Sequence, residues 1–309
     1  MLGEGVAAAE GRWLAQVAAT LQDALVLVKP RIMALLLITA YCAMVVAAQG
    51  LPPLGLTVSA LGGLALSVGG AHAVNMWFDA DIDGLMERTR RRPIPAGRVA
   101  PERALWLGVG LQAISFVWLW TRVGALAALL SFAGYLYYVL VYTMWLKRYT
   151  PQNIVIGGGA GAFPPLVGWA AVTGHLALPA IILFLIVFLW TPPHFWALAL
   201  YRQEDYRRAG VPMMPVTAGA RATKRQMLGY AASLLPVSLG LGLGHWVGPL
   251  YLMVAGASGA ALLLACIRLL GEPDGEVKVA RGTFFLSLWY LTAVFAAMVI
   301  DVLLHHPGL

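Results

Sequence analysis

A chain of 309 residues would ordinarily fold as one large or two small soluble domains, but here 60% of the residues are hydrophobic and only 11% are charged. Soluble domains carry about 25% charged residues, so this composition, with its mean hydropathy of +0.78, excludes them and requires an integral membrane protein. The net charge of +7 is confined to short loops between apolar runs, a pattern of membrane topology and not of nucleic-acid binding.

Residues 1–28 read as an N-terminal interfacial segment. Trp13, Val17, Leu21, Leu25 and Val28 recur near helical spacing, which predicts an amphipathic helix on the membrane surface. The segment lacks the pattern of a signal peptide, and Glu4, Glu10 and Asp23 argue against an acid-poor transit peptide. From 29 to 309 the chain reads as one polytopic domain. A bilayer core of roughly 30 Å takes about 20 residues at helical rise, and nine apolar runs meet that length. They fall near 32–49, 54–78, 104–121, 123–146, 153–173, 176–201, 227–246, 249–270 and 283–303. The expected fold is therefore all-α, with nine transmembrane helices. Cys42 and Cys266 lie inside apolar runs, so no disulfide framework is expected.

The cations follow the spans. Lys29 and Arg31 precede the first, six arginines follow the second, Lys147 and Arg148 follow the fourth, and further clusters follow the sixth and eighth. Of the loop cations only Arg122 falls on the opposite side, so the positive-inside rule puts the N-terminus in the cytoplasm and the C-terminus outside. The chain also repeats weakly. A shift of 122 residues places His72 on His194, Asp83 on Asp205, Pro93 on Pro215, Gly97 on Gly219 and Arg103 on Arg225. This suggests two four-helix halves plus a ninth helix, an arrangement that often builds its site between the halves.

One stretch concentrates the charge. NMWFDADIDGLMERTRRRPIPAGR, residues 75–98, holds four carboxylates and five arginines. Asn75, Asp79 and Asp83 are spaced i, i+4, i+8 and share one helix face at a helix C-terminus whose dipole is already negative. Two carboxylates and an amide oxygen there would repel one another unless they bind a divalent cation. Mg²⁺ takes one or two carboxylates and completes its shell with water and phosphate oxygens. Arginines close by suit the phosphate. Asp81, Glu87 and Arg90 leave this face and read as solvated ion pairs. In the equivalent second loop, Glu204 and Asp205 either bind a second cation or simply neutralise Arg202, Arg207 and Arg208. TPPHFW at 191–196 puts two prolines and His194 inside a span, a mark of a cavity.

These segments, together with KPR at 29–31 and KRYTPQNIVIGGGAGAFPPLVGWAAVTG at 147–174, resemble the intramembrane aromatic prenyltransferase superfamily, and within it the branch that farnesylates haem. The resemblance implies a helical bundle in a bacterial inner membrane, its cavity open to membrane lipid and holding Mg²⁺-bound farnesyl diphosphate. It implies that Asn75, Asp79 and Asp83 serve the first metal site, with Glu204 and Asp205 in the second acidic motif. It implies that Arg31, Arg88, Arg92, Lys147 and Arg148 hold diphosphate and that His194 contacts haem B. By the family's pathway, a haem A synthase or a terminal oxidase would be the partner receiving product. Trp77, Phe78, Phe195 and Trp196 are candidates to shield a carbocation or stack on the porphyrin. Two other readings remain open from the residues: a prenyltransferase acting on a quinone or chlorophyll precursor, and a cation transporter. A transporter would more often place its acids at mid-membrane depth, whereas here every acid except Asp301 falls at a loop or helix end.

Overall fold

The computed structural model describes residues 19–305. Among them nine helices are long and apolar enough to cross a membrane: α1 Pro30–Ala48, α2 Leu54–Phe78, α3 Pro101–Arg122, α4 Ala125–Tyr149, α5 Asn153–Thr173, α6 Leu178–Tyr201, α7 Gly219–Leu243, α8 Pro249–Leu270 and α9 Lys278–Leu304. The described residues contain no strand, and the protein is a multi-pass all-α membrane protein. If each of these helices crosses once, the odd number puts the start of α1 and the end of α9 on opposite faces. The face carrying the α2–α3, α4–α5, α6–α7 and α8–α9 connections is called the even face below.

Several helices run past the bounds that hydropathy marks. α7 starts at Gly219 and not near 227, and α9 at Lys278 and not near 283, because backbone hydrogen bonding continues through Arg221, Lys224 and Arg281 after the apolar run has ended. The break between α3 and α4 is real. Gly124 adopts φ 153° there, a conformation open to glycine without a Cβ penalty. Of the interfacial segment, the helix Ala19–Val28 is described; Trp13, Val17 and the acids Glu4 and Glu10 lie outside the described residues. Leu21 and Leu25 are exposed while Leu27 is buried against Ala73, Met76, Ile94 and Ala104. The helix is thus docked by Leu27, with Val28 packed against Gly69, and presents Leu21, Leu25 and Val26 outward.

The main core lies between α1, α5, α6, α7, α8 and α9, where Val45, Leu166, Leu183, Leu234, Tyr251 and Phe295 meet. Small residues allow the closest crossings, as expected where lipid is as apolar as the helices. A Cβ on Gly70 would stand 2.6 Å from the Gly108 carbonyl oxygen, and one on Gly168 would collide with the Ala40 backbone. Trp106, Trp120, Trp145 and Trp289 point outward, as membrane-facing aromatics do. Cys42 and Cys266 are free and buried. Asp301, which the sequence places inside the ninth span, stands buried in the last turn of α9 and accepts the Tyr251 N–H at 2.9 Å in the first turn of α8, where unpaired amides need an acceptor.

Gly168→Val is expected to force α1 from α5. Overpacking of this kind costs about 1–3 kcal/mol or more, read as a lower unfolding midpoint in detergent, whereas Gly161→Ala, which meets open space, leaves the midpoint unchanged.

Candidate active site

The site is built on the even-face end of α2. The helix is interrupted at Asp79 (φ −88°, ψ 4°) and resumes as a single turn, Ala80–Asp83. The hydrogen-bond spacing survives the interruption, because Asp79 N–H donates to the Asn75 carbonyl at 3.0 Å and Asp83 N–H to the Asp79 carbonyl at 2.8 Å. Asn75, Asp79 and Asp83 therefore stay on one face, and all three are buried, Asp79 completely. Asn75 Nδ2 donates to Asp79 Oδ2 at 2.7 Å and to Thr143 Oγ1 at 3.1 Å.

Cations from three other segments converge on this face. Lys147 Nζ donates to Asp79 Oδ2 at 2.5 Å, Lys29 Nζ to Asn75 Oδ1 at 2.7 Å, and Arg92 Nη1 to Asp83 Oδ2 at 2.5 Å. Arg148 holds the adjoining turn: its two Nη atoms donate to Asp81 at 2.8 and 2.7 Å, Nη2 also reaches the Phe78 carbonyl at 2.7 Å, and the guanidinium lies 4.6 Å from the Phe78 ring centroid. The Arg148 bonds keep the Asp81 carboxyl below its usual range. Burial, and then the charges of Arg92 and Lys147, push the Lys29 ammonium down to about 7.

Two buried atoms of this cluster, Arg148 Nε and Asp79 Oδ1, are unsatisfied. Asp79 Oδ1 is buried with no hydrogen-bond partner, and its nearest ionic neighbour, Arg148 Nη2, is 4.0 Å away. A buried polar atom left unpaired costs about 1–3 kcal/mol, more when it is charged, so a cation-accepting oxygen is being held open. Among the described residues no three His, Cys, Asp or Glu side chains gather closely enough to hold a metal alone; the third oxygen of this face is the Asn75 amide oxygen, which here accepts from Lys29. Hard oxygens from one or two carboxylates and an amide, with room for water and phosphate, fit Mg²⁺.

The structure distributes the expected basic residues unevenly. Arg92 and Lys147 are on the acidic face, Arg88 lies beside Tyr206, and Arg31 is exposed at the start of α1. Lys29, which the sequence reading held as a topological charge and as part of the KPR segment, reaches the acidic face through Asn75. Its backbone is left-handed, φ 51° and ψ 63°, uncommon for a side-chain-bearing residue, and this turn aims its ammonium inward. His72 supports the turn by donating from Nδ1 to the Val28 carbonyl at 2.9 Å; a carbonyl can only accept, so that nitrogen carries the proton. Tyr138 and Thr143 were also not anticipated. They come from a π-helical stretch of α4, Tyr137–Leu146, whose wider turn brings Tyr138 edge-on to His72 at 5.7 Å and Thr143 to Asn75. Proline-free apolar sequence carries no signal for such a stretch.

Glu204 and Asp205 are not joined to the first acidic face. Glu204 is exposed and pairs with Arg207 at 2.5 Å, and the buried Asp205 pairs with Arg208 at 3.1 Å. His194 is held between Trp190 and Phe284, at ring-centroid distances of 4.3 and 4.7 Å, with Nδ1 2.8 Å from Ser287 Oγ. Ser287 Oγ–H donates to the Phe284 carbonyl at 2.6 Å, so it accepts from His194 Nδ1–H and leaves Nε2 with its lone pair. Of the candidate aromatics, Phe78 covers Arg148, Phe195 meets His194 edge-on, and Trp196 is fully buried in the core beside Tyr230.

Comparison with known proteins gives a consistent answer. Residues 36–299 match the UbiA prenyltransferase family. The chain is 57% identical over 294 residues to "Protoheme IX farnesyltransferase" of Symbiobacterium thermophilum, covering 95% of this chain and 98% of that one. It is 48% identical over 285 residues to "Protoheme IX farnesyltransferase 2" of Mesorhizobium japonicum, covering 92% and 90%. The fold is similar to a digeranylgeranylglyceryl phosphate synthase (TM-score 0.77, 18% identity, 91% of this chain and 98% of that one). It is also similar to a UbiA homologue of Archaeoglobus fulgidus bound to DMAPP and Mg²⁺ (TM-score 0.65, 17% identity, 89% and 99%).

Asp79→Asn keeps the shape and removes the charge, so turnover is expected to fall at least about a hundredfold, the scale of losing a main electrostatic group, with insertion into membranes unchanged. Lys147→Met instead leaves a buried carboxylate without its closest counter-ion. Breaking a buried pair costs about 3–5 kcal/mol, and this should appear as lower thermal stability that Mg²⁺ partly restores.

Proposed function

The chain belongs to the UbiA prenyltransferase family, and from that premise we propose that it transfers a farnesyl group from farnesyl diphosphate to a vinyl group of protohaem, with addition of water, giving haem O. One observation carries the reading: 57% identity along nearly the whole length of a protoheme IX farnesyltransferase. The inventory of the site supports it, with a buried carboxylate oxygen kept open inside a ring of cations.

Asn75, Asp79 and Asp83 hold Mg²⁺ in this reading, with Glu204 and Asp205 as a second acidic pair across the even face. Mg²⁺ supplies charge neutralisation to the leaving diphosphate. Lys29, Lys147 and Arg92 then turn from their carboxylate and amide partners to the phosphate oxygens, Arg88 joins them from beside Tyr206, and Arg31 adds charge at the rim. Their positive charge lowers the barrier to breaking the allylic C–O bond, because the developing anion is met by groups already in place. Diphosphate departs with the bonding electrons, leaving a farnesyl cation in an apolar chamber that keeps bulk water away. The terminal carbon of a haem vinyl group bonds to that cation, which moves the positive charge to the carbon beside the porphyrin. One water adds there and loses a proton, and the product carries a hydroxyethylfarnesyl chain. His194 meets the haem through the Nε2 lone pair that its hydrogen bond to Ser287 leaves available. The setting is a bacterial inner membrane, with the even face and the N-terminus cytoplasmic.

The test is mass analysis of haem extracted from membranes expressing the protein or its Asp83→Ala variant. A species heavier by one farnesyl group plus water, absent with the variant, is expected. Unmodified haem from both, with the protein inserted, would reject haem as acceptor and favour a quinone-type substrate.

A further inference from the structure

Two segments far apart in the chain meet at the even face and fold as one body. The first is the helix Ala19–Val28 with Lys29 after it; the second is the loop of residues 84–98 between α2 and α3. They share a small apolar core, in which Leu27 of the first and Ile94 of the second are both buried with Ala73, Met76 and Ala104. At the polar edge of that core, Arg98 Nε donates to both carboxylate oxygens of Asp23, at 3.0 and 3.2 Å. Asp23 is the one acid among the described residues that precede α1. The same guanidinium donates from Nη2 to the Arg91 carbonyl at 3.2 Å. The turn behind it is closed by Ala96 N–H to the Arg92 carbonyl at 3.0 Å and by Arg98 N–H to the Pro93 carbonyl at 2.9 Å.

Each segment carries one cation to the acidic face, and the two arrive at opposite ends of it. Lys29 Nζ donates to Asn75 Oδ1 at 2.7 Å and Arg92 pairs with Asp83, while Lys147 reaches Asp79 between them from α4. Arg92 is held by the closed turn of its own loop. Lys29 depends on its tether, because its left-handed backbone, φ 51° and ψ 63°, is one that a residue with a side chain keeps only where its surroundings over-determine it. His72 holds the Val28 carbonyl, Leu27 anchors the helix, and Asp23 fastens it to the loop that bears Arg92. Exposed ion pairs contribute little, but the Asp23 side chain is only 13% exposed, and the pair joins positions 75 residues apart.

A diphosphate carries two anionic groups joined through one oxygen, and cations already set on either side of it bind it without the cost of being gathered. We propose that residues 19–29 and 84–98 form a clasp over the diphosphate end of the prenyl substrate, with the Asp23–Arg98 pair as its fastening. The pair holds Lys29 in place against Arg92 and touches no substrate itself, so Asp23 and Arg98 are positioning residues. The clasp rests on the reading of the acidic face as a diphosphate site. It gives the helix Ala19–Val28 a part in substrate binding beside its place at the membrane surface.

The experiment measures binding of farnesyl S-thiolodiphosphate, an unreactive analogue, to the full-length protein in detergent with Mg²⁺ present, by calorimetry and without haem. Asp23→Asn and Arg98→Gln are each expected to weaken binding about threefold to fivefold, the range of one partly covered ion pair, while Asp23→Glu stays close to the wild type. Lys29→Met weakens binding about tenfold. Adding Asp23→Asn to Lys29→Met has no further effect, because the fastening then has no ammonium to place. A wild type that does not bind the analogue would overturn the diphosphate reading of the acidic face together with the clasp. Wild-type binding with Asp23→Asn and Arg98→Gln unchanged would overturn the clasp alone. So would an Asp23→Asn loss that persists undiminished beside Lys29→Met, the outcome expected of a general loss of structure. A loss from Arg98→Gln without one from Asp23→Asn would also overturn it, and would make Arg98 a direct phosphate contact.

Discussion

Everything at the active end of this protein depends on one buried carboxylate. Asp79 has no solvent exposure, sits at the negative end of a helix, and has one oxygen bound by Lys147 and Asn75 and the other without a hydrogen bond. A lone ionised carboxylate in such a place would be expelled or neutralised. It is retained because cations are brought from the N-terminal strap and from α4, while Arg92 holds the neighbouring Asp83. The arrangement is only half satisfied, and the open oxygen is where positive charge belongs.

Much of the local architecture serves this placement. The left-handed turn at Lys29 is supported by His72 through the Val28 carbonyl, and the strap that carries it is docked by Leu27. The π-helical stretch of α4 supplies Thr143 to Asn75, and Arg148 holds Asp81 and the Phe78 carbonyl where α2 is interrupted. Each device shifts a polar group by a fraction of a helical turn. Together they gather three helices' polar atoms at one end of an otherwise apolar bundle.

The position of the charge also separates prenyl transfer from ion transport. The acids of the site lie at the ends of helices, and so does the buried Asp301, which is engaged by the backbone at the start of α8. The interior offers aromatic and aliphatic surface, suited to a carbocation that must meet its acceptor before water.

The i, i+4, i+8 spacing of Asn75, Asp79 and Asp83 was legible in the sequence, because helical periodicity persists across the interruption at Asp79. The nine spans were legible too, since the bilayer imposes a length that apolar runs must meet. The ends of α7 and α9 were not, because hydropathy marks the membrane and not the last backbone hydrogen bond. Lys29 could be seen as a cation but not as part of the site, since its direction is set by a left-handed turn and by a histidine 43 residues away. Thr143 and Tyr138 depended on a change of helical period that composition does not encode. The pairing of Glu204 with Arg207 and of Asp205 with Arg208 could be decided only in three dimensions. Local spacing is written along the chain, whereas which charges find partners depends on how separate helices meet.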